Sequence, residues 1–166
     1  MIIGNGDIAS ALTDHPDRIY FASGVSNSTC SDKKEFKRER NLLDKIDCNK
    51  HIVYFSTLSI YYANSYYTEH KADMEDRIMS WFKSYTIVRL GNITWGKNPN
   101  TIINYLKSKI NNNMPYEIKD TQRYLCSKEE FQHWMNLIPD FNTEMNITGE
   151  RVSVKEIETR IKAGIL

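Results

Sequence analysis

The chain opens with Ile2-Ile3-Gly4-Asn5-Gly6-Asp7-Ile8-Ala9, an apolar pair running into a Gly-x-Gly-x-x-Ala turn. Such a pair reads as a short strand, and Gly permits the tight turn that ends it. A helix from Asp7 to Thr13 is expected to follow. A strand, a glycine turn and a helix in that order make a dinucleotide-binding turn, in which the pyrophosphate lies close to Gly6 and over the N–H groups of the helix start. Ala9, in the third position, still lets helix and strand pack closely. The same pattern also serves as a plain strand-to-helix turn. The acidic residue expected about 20 residues further on, to hold an adenosine ribose, has no clear counterpart.

Outward from this turn, short apolar runs alternate with helical patterns, which favours a parallel α/β sheet. Arg18–Ala22, His51–Ser56 and Tyr85–Leu90 read as strands. Ser31 or Asp32 can cap a helix carrying Phe36, Leu43 and Ile46 on one side. A helix from about Tyr67 to Phe82 places Met74, Ile78 and Trp81 on one face. Pro99 suits the first turn of a helix holding Ile102, Ile103, Leu106 and Ile110. Ser127 to Glu130 and Ser153 to Glu156 have the spacing of capping boxes. The short Leu12-to-Ile19 connection leaves no room for another strand–helix–strand, so the sheet is expected to be smaller than a full seven-strand one. It should carry an exposed edge, and edges invite pairing, which predicts a homo-oligomer.

The 166 residues fit one core, and 40% apolar with 26% charged residues is ordinary for a globular domain. A net charge of +1 gives no general pull toward nucleic acid or an anionic membrane. No apolar run is long enough to span a bilayer. With no leader-like N-terminus and three scattered cysteines, Cys30, Cys48 and Cys126, a reducing cytoplasm is the expected setting. His15, His51, His70 and His133 show no metal-ligand spacing. The mixed-sign run Lys33–Arg40 reads as a solvated helix face.

Tyr67 and Lys71 are one helical turn apart and share a face. An ammonium there lowers a phenol's pKa, so that Tyr67 can pass a proton, and the hydroxyl of Thr57 can bond the reacting oxygen. Tyr105/Lys109 and Tyr124/Lys128 have the same spacing. Only Tyr67/Lys71 follows a buried strand ending in Ser-Thr, and Lys71 lies on the apolar side of its helix. The plainer alternative is an aromatic lid with a snorkelling lysine.

Taken in order, these pieces resemble the sugar-nucleotide epimerase/dehydratase branch of the extended short-chain dehydrogenases/reductases. The resemblance covers nearly the whole chain. Ile2 to Ala9 looks like the cofactor turn. Phe21-Ala22-Ser23-Gly24-Val25-Ser26-Asn27-Ser28 looks like the strand ending beside the nicotinamide. Val53 to Tyr61 is similar to the strand bearing the catalytic hydroxyl, which falls on Thr57. Arg89 to Gly96, Asn98 to Thr101 and Arg123-Tyr124-Leu125 resemble later cofactor-side and substrate-side stretches.

The resemblance implies one three-layer, Rossmann-like α/β domain over residues 1–166, with a reduced parallel sheet and a small substrate-side portion from about 92 to 166. It implies NAD or NADP as cofactor, NAD favoured, held by Gly4, Asn5, Gly6, Asp7, Ile8, Ala22, Ser23, Gly24, Phe55, Ser56, Lys71, Leu90 and Asn92. It implies a nucleotide-sugar-like substrate near Val25, Ser26, Asn27, Thr57, Asn92 and Arg123, with Thr57, Tyr67 and Lys71 catalytic. Leu58 and Ser59 stand where dehydratases carry an acidic pair, which leaves ketone reduction or epimerisation by hydride transfer. The segment missing after Leu12 carries the adenosine side of the site, so weaker cofactor binding is expected. Two other function classes stay open: a non-catalytic binding or assembly protein that has lost the adenosine half, and a nucleic-acid-binding domain resting on the Lys33–Arg40 helix, which the near-neutral charge disfavours.

Overall fold

The computed structural model describes all residues, Met1–Leu166. Eight strands and five α-helices follow one another as β1 (Ile2–Ile3), β2 (Arg18–Phe21), α1 (Lys33–Leu43), β3 (His51–Thr57), α2 (Tyr66–Trp81), β4 (Tyr85–Leu90), β5 (Asn92–Ile93), α3 (Ile102–Asn111), β6 (Gln122–Cys126), α4 (Lys128–Asn136), β7 (Thr143–Ile147), β8 (Glu150–Ser153) and α5 (Val154–Lys162). The main sheet has five strands in the order β1-β2-β3-β4-β7, and every neighbouring pair is parallel. It is the reduced parallel sheet expected from the short Leu12-to-Ile19 connection.

β3 and β4 are almost wholly buried, as near-continuous apolar strands between two helical layers must be. On one face Leu43 of α1 and Met74 and Ile78 of α2 pack with Phe82 against Phe21, Ile52, Tyr54 and Ile87. On the other, Phe131 and Met135 of α4, with Ile138, pack against Tyr20, Val53, Phe55, Val88 and Ile147. Three layers result. A second sheet, β5-β6-β8, pairs β6 antiparallel to β8 and is backed by α3 and α5 through Ile103, Leu106, Ile157 and Ile161. The chain beyond Asn92 is thus divided: α4 and β7 return to the main sheet, while α3 and α5 cover the small one.

Three local expectations change. The Gly-rich turn opens only a 3-10 turn, Ala9–Ala11, and not a helix over Asp7–Thr13. Pro99 lies outside α3, whose N-cap is Thr101. Trp81 does not join the core face of α2. It is half exposed, with the Arg77 guanidinium 4.2 Å above its ring, and Phe82 is buried in its stead just past the helix end. Asp32, Ser127 and Ser153 cap α1, α4 and α5, each accepting a backbone N–H of the first turn.

Candidate functional site

The connection from β3 to α2 places the central residues. Ser65 caps α2 by accepting the Thr68 N–H, and the Thr68 hydroxyl accepts the Ser65 N–H in return. With the helix start fixed there, Tyr67 and Lys71 lie one turn apart and face inward, 8% and 2% exposed. The other two pairs of this spacing do not share the setting. Tyr105 is exposed on α3 with Lys109 over its ring, and Tyr124 lies on strand β6 while Lys128 begins α4.

Lys71 is held by a buried network. Its ammonium donates to Glu39 Oε1 at 3.0 Å, to the Tyr54 hydroxyl at 3.0 Å and to the Phe55 carbonyl at 3.4 Å. Glu39, fully buried, also accepts from the Tyr54 hydroxyl and the Val25 N–H, both at 2.7 Å, and its Oε2 lies 3.0 Å from His70 Nε2. Burial alone would raise the Glu39 pKa; the Lys71 charge and the three further hydrogen bonds outweigh it and hold the carboxyl well below its ordinary range.

Reading Lys33–Arg40 as a solvated face is therefore wrong at one residue. Glu39 is three residues after Phe36 and four before Leu43, on the buried stripe of α1. That spacing was the available signal for it.

The network also changes what Lys71 does to Tyr67. Burial raises the Tyr67 pKa. Lys71 and the nearby Thr57 hydroxyl work downward, Glu39 works upward, and the net shift is up. Lys71 does not bring the phenol toward neutrality, because burial outweighs its charge and the Glu39 carboxylate works against it as well.

Tyr67, Lys71 and Thr57 open onto one cavity of about 560 Å³ between the C-terminal ends of β2, β3 and β4 and the small sheet. A cleft outside the carboxyl ends of parallel strands is the general ligand site of such sheets. Of the residues expected at a cofactor, Ile8, Ala22, Gly24, Phe55, Ser56, Lys71, Leu90 and Asn92 line it; of those expected at a substrate, Val25, Ser26, Thr57, Asn92 and Arg123 do.

Gly4, Asn5, Gly6, Asp7, Ser23 and Asn27 are not in its walls. Gly4 has φ +126° and packs against the Ala22 carbonyl, where a Cβ would collide. The Asp7 carboxylate accepts the N–H groups of Lys97 and Asn98, and its carbonyl accepts Trp95 Nε1, so it clips the 95–98 loop. Ser23 is bonded by Arg38, and Asn27 Oδ1 holds a local turn through Thr29. Asn98, Asn100 and Thr101, from the stretch expected on the substrate side, also line it, and Tyr62, Thr68 and Thr121 belong to the wall without having been expected there. They sit on loops and caps, where sequence periodicity carries no signal.

Two features bear on what the cavity takes. Ser56 Oγ is buried in its wall with no hydrogen-bond partner. The only charged wall residues are Lys71 and Arg123, and Arg123 donates only to Thr121 Oγ1 and the Gln122 carbonyl, with no ion pair. A cavity with no acid in its wall and an unpaired guanidinium favours an anionic ligand.

No family model and no curated protein matches this chain. Solved structures do. The Bordetella bronchiseptica enzyme WbmG in complex with NAD superposes with a TM-score of 0.72 at 16% identity, covering 90% of this chain and 56% of WbmG. The same enzyme has also been solved with NAD and UDP. Thermus thermophilus UDP-glucose 4-epimerase, complexed with NAD, gives 0.68 at 16% identity over 90% of this chain and 62% of its own. RMD from Pseudomonas aeruginosa, complexed with NADPH, gives 0.65 at 14% identity over 91% and 67%. The chain thus spans less than two thirds of the first two enzymes. The likeness shows the fold: a Rossmann-like α/β domain whose main sheet has five parallel strands with β1 at its edge.

Proposed function

We propose that the chain binds a nicotinamide nucleotide and acts as a reductase or epimerase on a nucleotide-linked sugar. One observation carries the reading: the Tyr67 phenol, the Thr57 hydroxyl and the Lys71 ammonium meet at one cavity whose free charge is positive. The neighbouring folds hold NAD, NADPH or UDP in their own structures, which supports the same ligand class here.

The nicotinamide end fits the residues present. Ser56 Oγ is an unpartnered polar atom in the wall, and Ala22 and Gly24 bring bare backbone to the cavity. The adenosine end does not fit, since nothing stands beside β1 to hold it. When bound, the nicotinamide supplies or takes a hydride. The remaining work belongs to side chains. Tyr67 gives a proton to, or takes one from, the substrate oxygen. Thr57 orients that oxygen and the phenol. Lys71 fixes the local field, and Arg123 and Asn92 hold the phosphate and sugar. No carboxylate lines the cavity, so elimination of water lacks the carboxyl acid or base it would need there.

The test is turnover of nucleotide-linked keto-sugars with NADH or NADPH. Tyr67→Phe should lower kcat by about 10²–10⁴ while the fold melts as before. Tyr105→Phe is the control with matching spacing and should change nothing. Equal responses from the two would refute the assignment. The compensation of Lys71 by Glu39 favours a second reading, a non-catalytic binding or assembly protein. No turnover and no nicotinamide binding would establish it.

A further inference from the structure

We propose that cofactor recognition in this chain is confined to the nicotinamide mononucleotide half, so that reduced nicotinamide mononucleotide fills the site nearly as well as NADH. This rests on the nicotinamide reading above and narrows it to one end of the ligand.

Three observations on the Gly-rich side carry it. First, β1 is the edge of the main sheet, followed after the 3-10 turn by the Leu12–Asp17 connection straight into β2. A dinucleotide lies across the ends of strands on both sides of the glycine turn, with a carboxylate of a neighbouring strand on the adenosine ribose. Here there is no strand on that side. Asp14, in the connection, is paired with the N-terminal ammonium at 2.5 Å, and Asp17 takes part in no ion pair.

Second, the turn is used for something other than a ligand. Gly4 is needed so that the chain can pass the Ala22 carbonyl. Asp7 is committed to the backbone of Lys97 and Asn98, and Gly96, at φ +94°, is glycine because a Cβ would collide with the Asp7 carboxyl. Both glycines and the aspartate thus have a structural explanation that involves no phosphate. A Cβ on Gly6 would meet nothing within 4 Å, so no surface closes over that residue either.

Third, the cavity stops at Ile8. Its walls run from Ile8 and Ala22 through Ser56 and Lys71 to Arg123 and include none of residues 4 to 7. An adenosine reaching beyond Ile8 would lie on open surface. Surface contacts of that kind are offset by the cost of ordering the second nucleotide, so they add little to affinity.

The experiment titrates the full chain separately with reduced nicotinamide mononucleotide and with NADH, following nicotinamide fluorescence, and then adds AMP as competitor. The expected result is two dissociation constants within about tenfold of each other, with AMP displacing neither. NADH binding more than about tenfold tighter, or displacement by AMP, would overturn the inference and leave the nicotinamide reading standing. Failure of both reduced nucleotides to bind would overturn the nicotinamide reading and this inference with it.

Discussion

The Lys71 ammonium faces Tyr67 one helical turn away while donating to the buried Glu39 carboxylate at 3.0 Å. Removing one partner of a buried ion pair leaves an uncompensated charge, so Lys71→Met should destabilise the fold by about 3–5 kcal/mol, as should Glu39→Gln. The double variant Lys71→Met/Glu39→Gln should recover a large part of that loss, and urea melts of the three would show it. A fully additive double variant would contradict the pairing.

The pH dependence follows from the same network. The Glu39 pKa is lowered in the fold, so its contribution to stability is complete above the ordinary value of 4.5 and fades as pH falls below it. Thermal melts from neutral pH into acid should therefore show a loss in the wild type that is smaller in Glu39→Gln. Tyr67 is shifted the other way, upward from 10. The direction of reaction in which it donates a proton should be flat across neutral pH. The direction in which it accepts one should keep rising past pH 10, which initial rates in both directions would check.

Elements were readable wherever burial imposed a pattern. β2, β3 and β4 are apolar runs because both faces are covered, and the caps of α1, α4 and α5 follow from side chains that bond backbone N–H groups. β5, only two residues long, and β7, where polar Glu144 and Asn146 bond Arg89 and Tyr61, carry no comparable apolar run. The 3-10 turn after Gly6 was missed because glycine spacing specifies a tight turn and says nothing about helix length.

Gly24 lies three residues past the end of β2, in the stretch whose resemblance places it at the cofactor. A Cβ on it would stand 2.6 Å from Lys71 Nζ and 2.8 Å from Glu39 Oε1. Gly24→Ala should therefore push the Lys71–Glu39 pair out of register, lowering nicotinamide binding more than it lowers the melting temperature. Gly164→Ala is the comparison for stability alone: at φ +70° and outside the cavity wall, it should strain the backbone and lower the melting temperature without lowering binding. Equal binding by Gly24→Ala and wild type would show that the pair's placement does not matter to the ligand.

At the scale of the molecule, the sheet has two free edges, β1 with two residues and β7 with five. A short edge strand resists pairing. The homo-oligomer expected from an open edge would accordingly use β7 and not β1, and light scattering at high concentration should find more than one chain per particle. A monomer would count against it. No helix is long and apolar enough to cross a membrane.

The claim on which the functional reading depends is that a nicotinamide lies in the cavity over Ser56 and Tyr67. Trp95 packs on Phe131 with ring centroids 5.3 Å apart, and Phe131 in turn on Phe55 of the cavity wall, so a reduced nicotinamide bound there is within energy-transfer range of an indole. Titrating the protein with NADH should quench tryptophan emission and raise nicotinamide emission together, saturating at one ligand per chain. No change in either signal up to millimolar NADH would contradict the assignment.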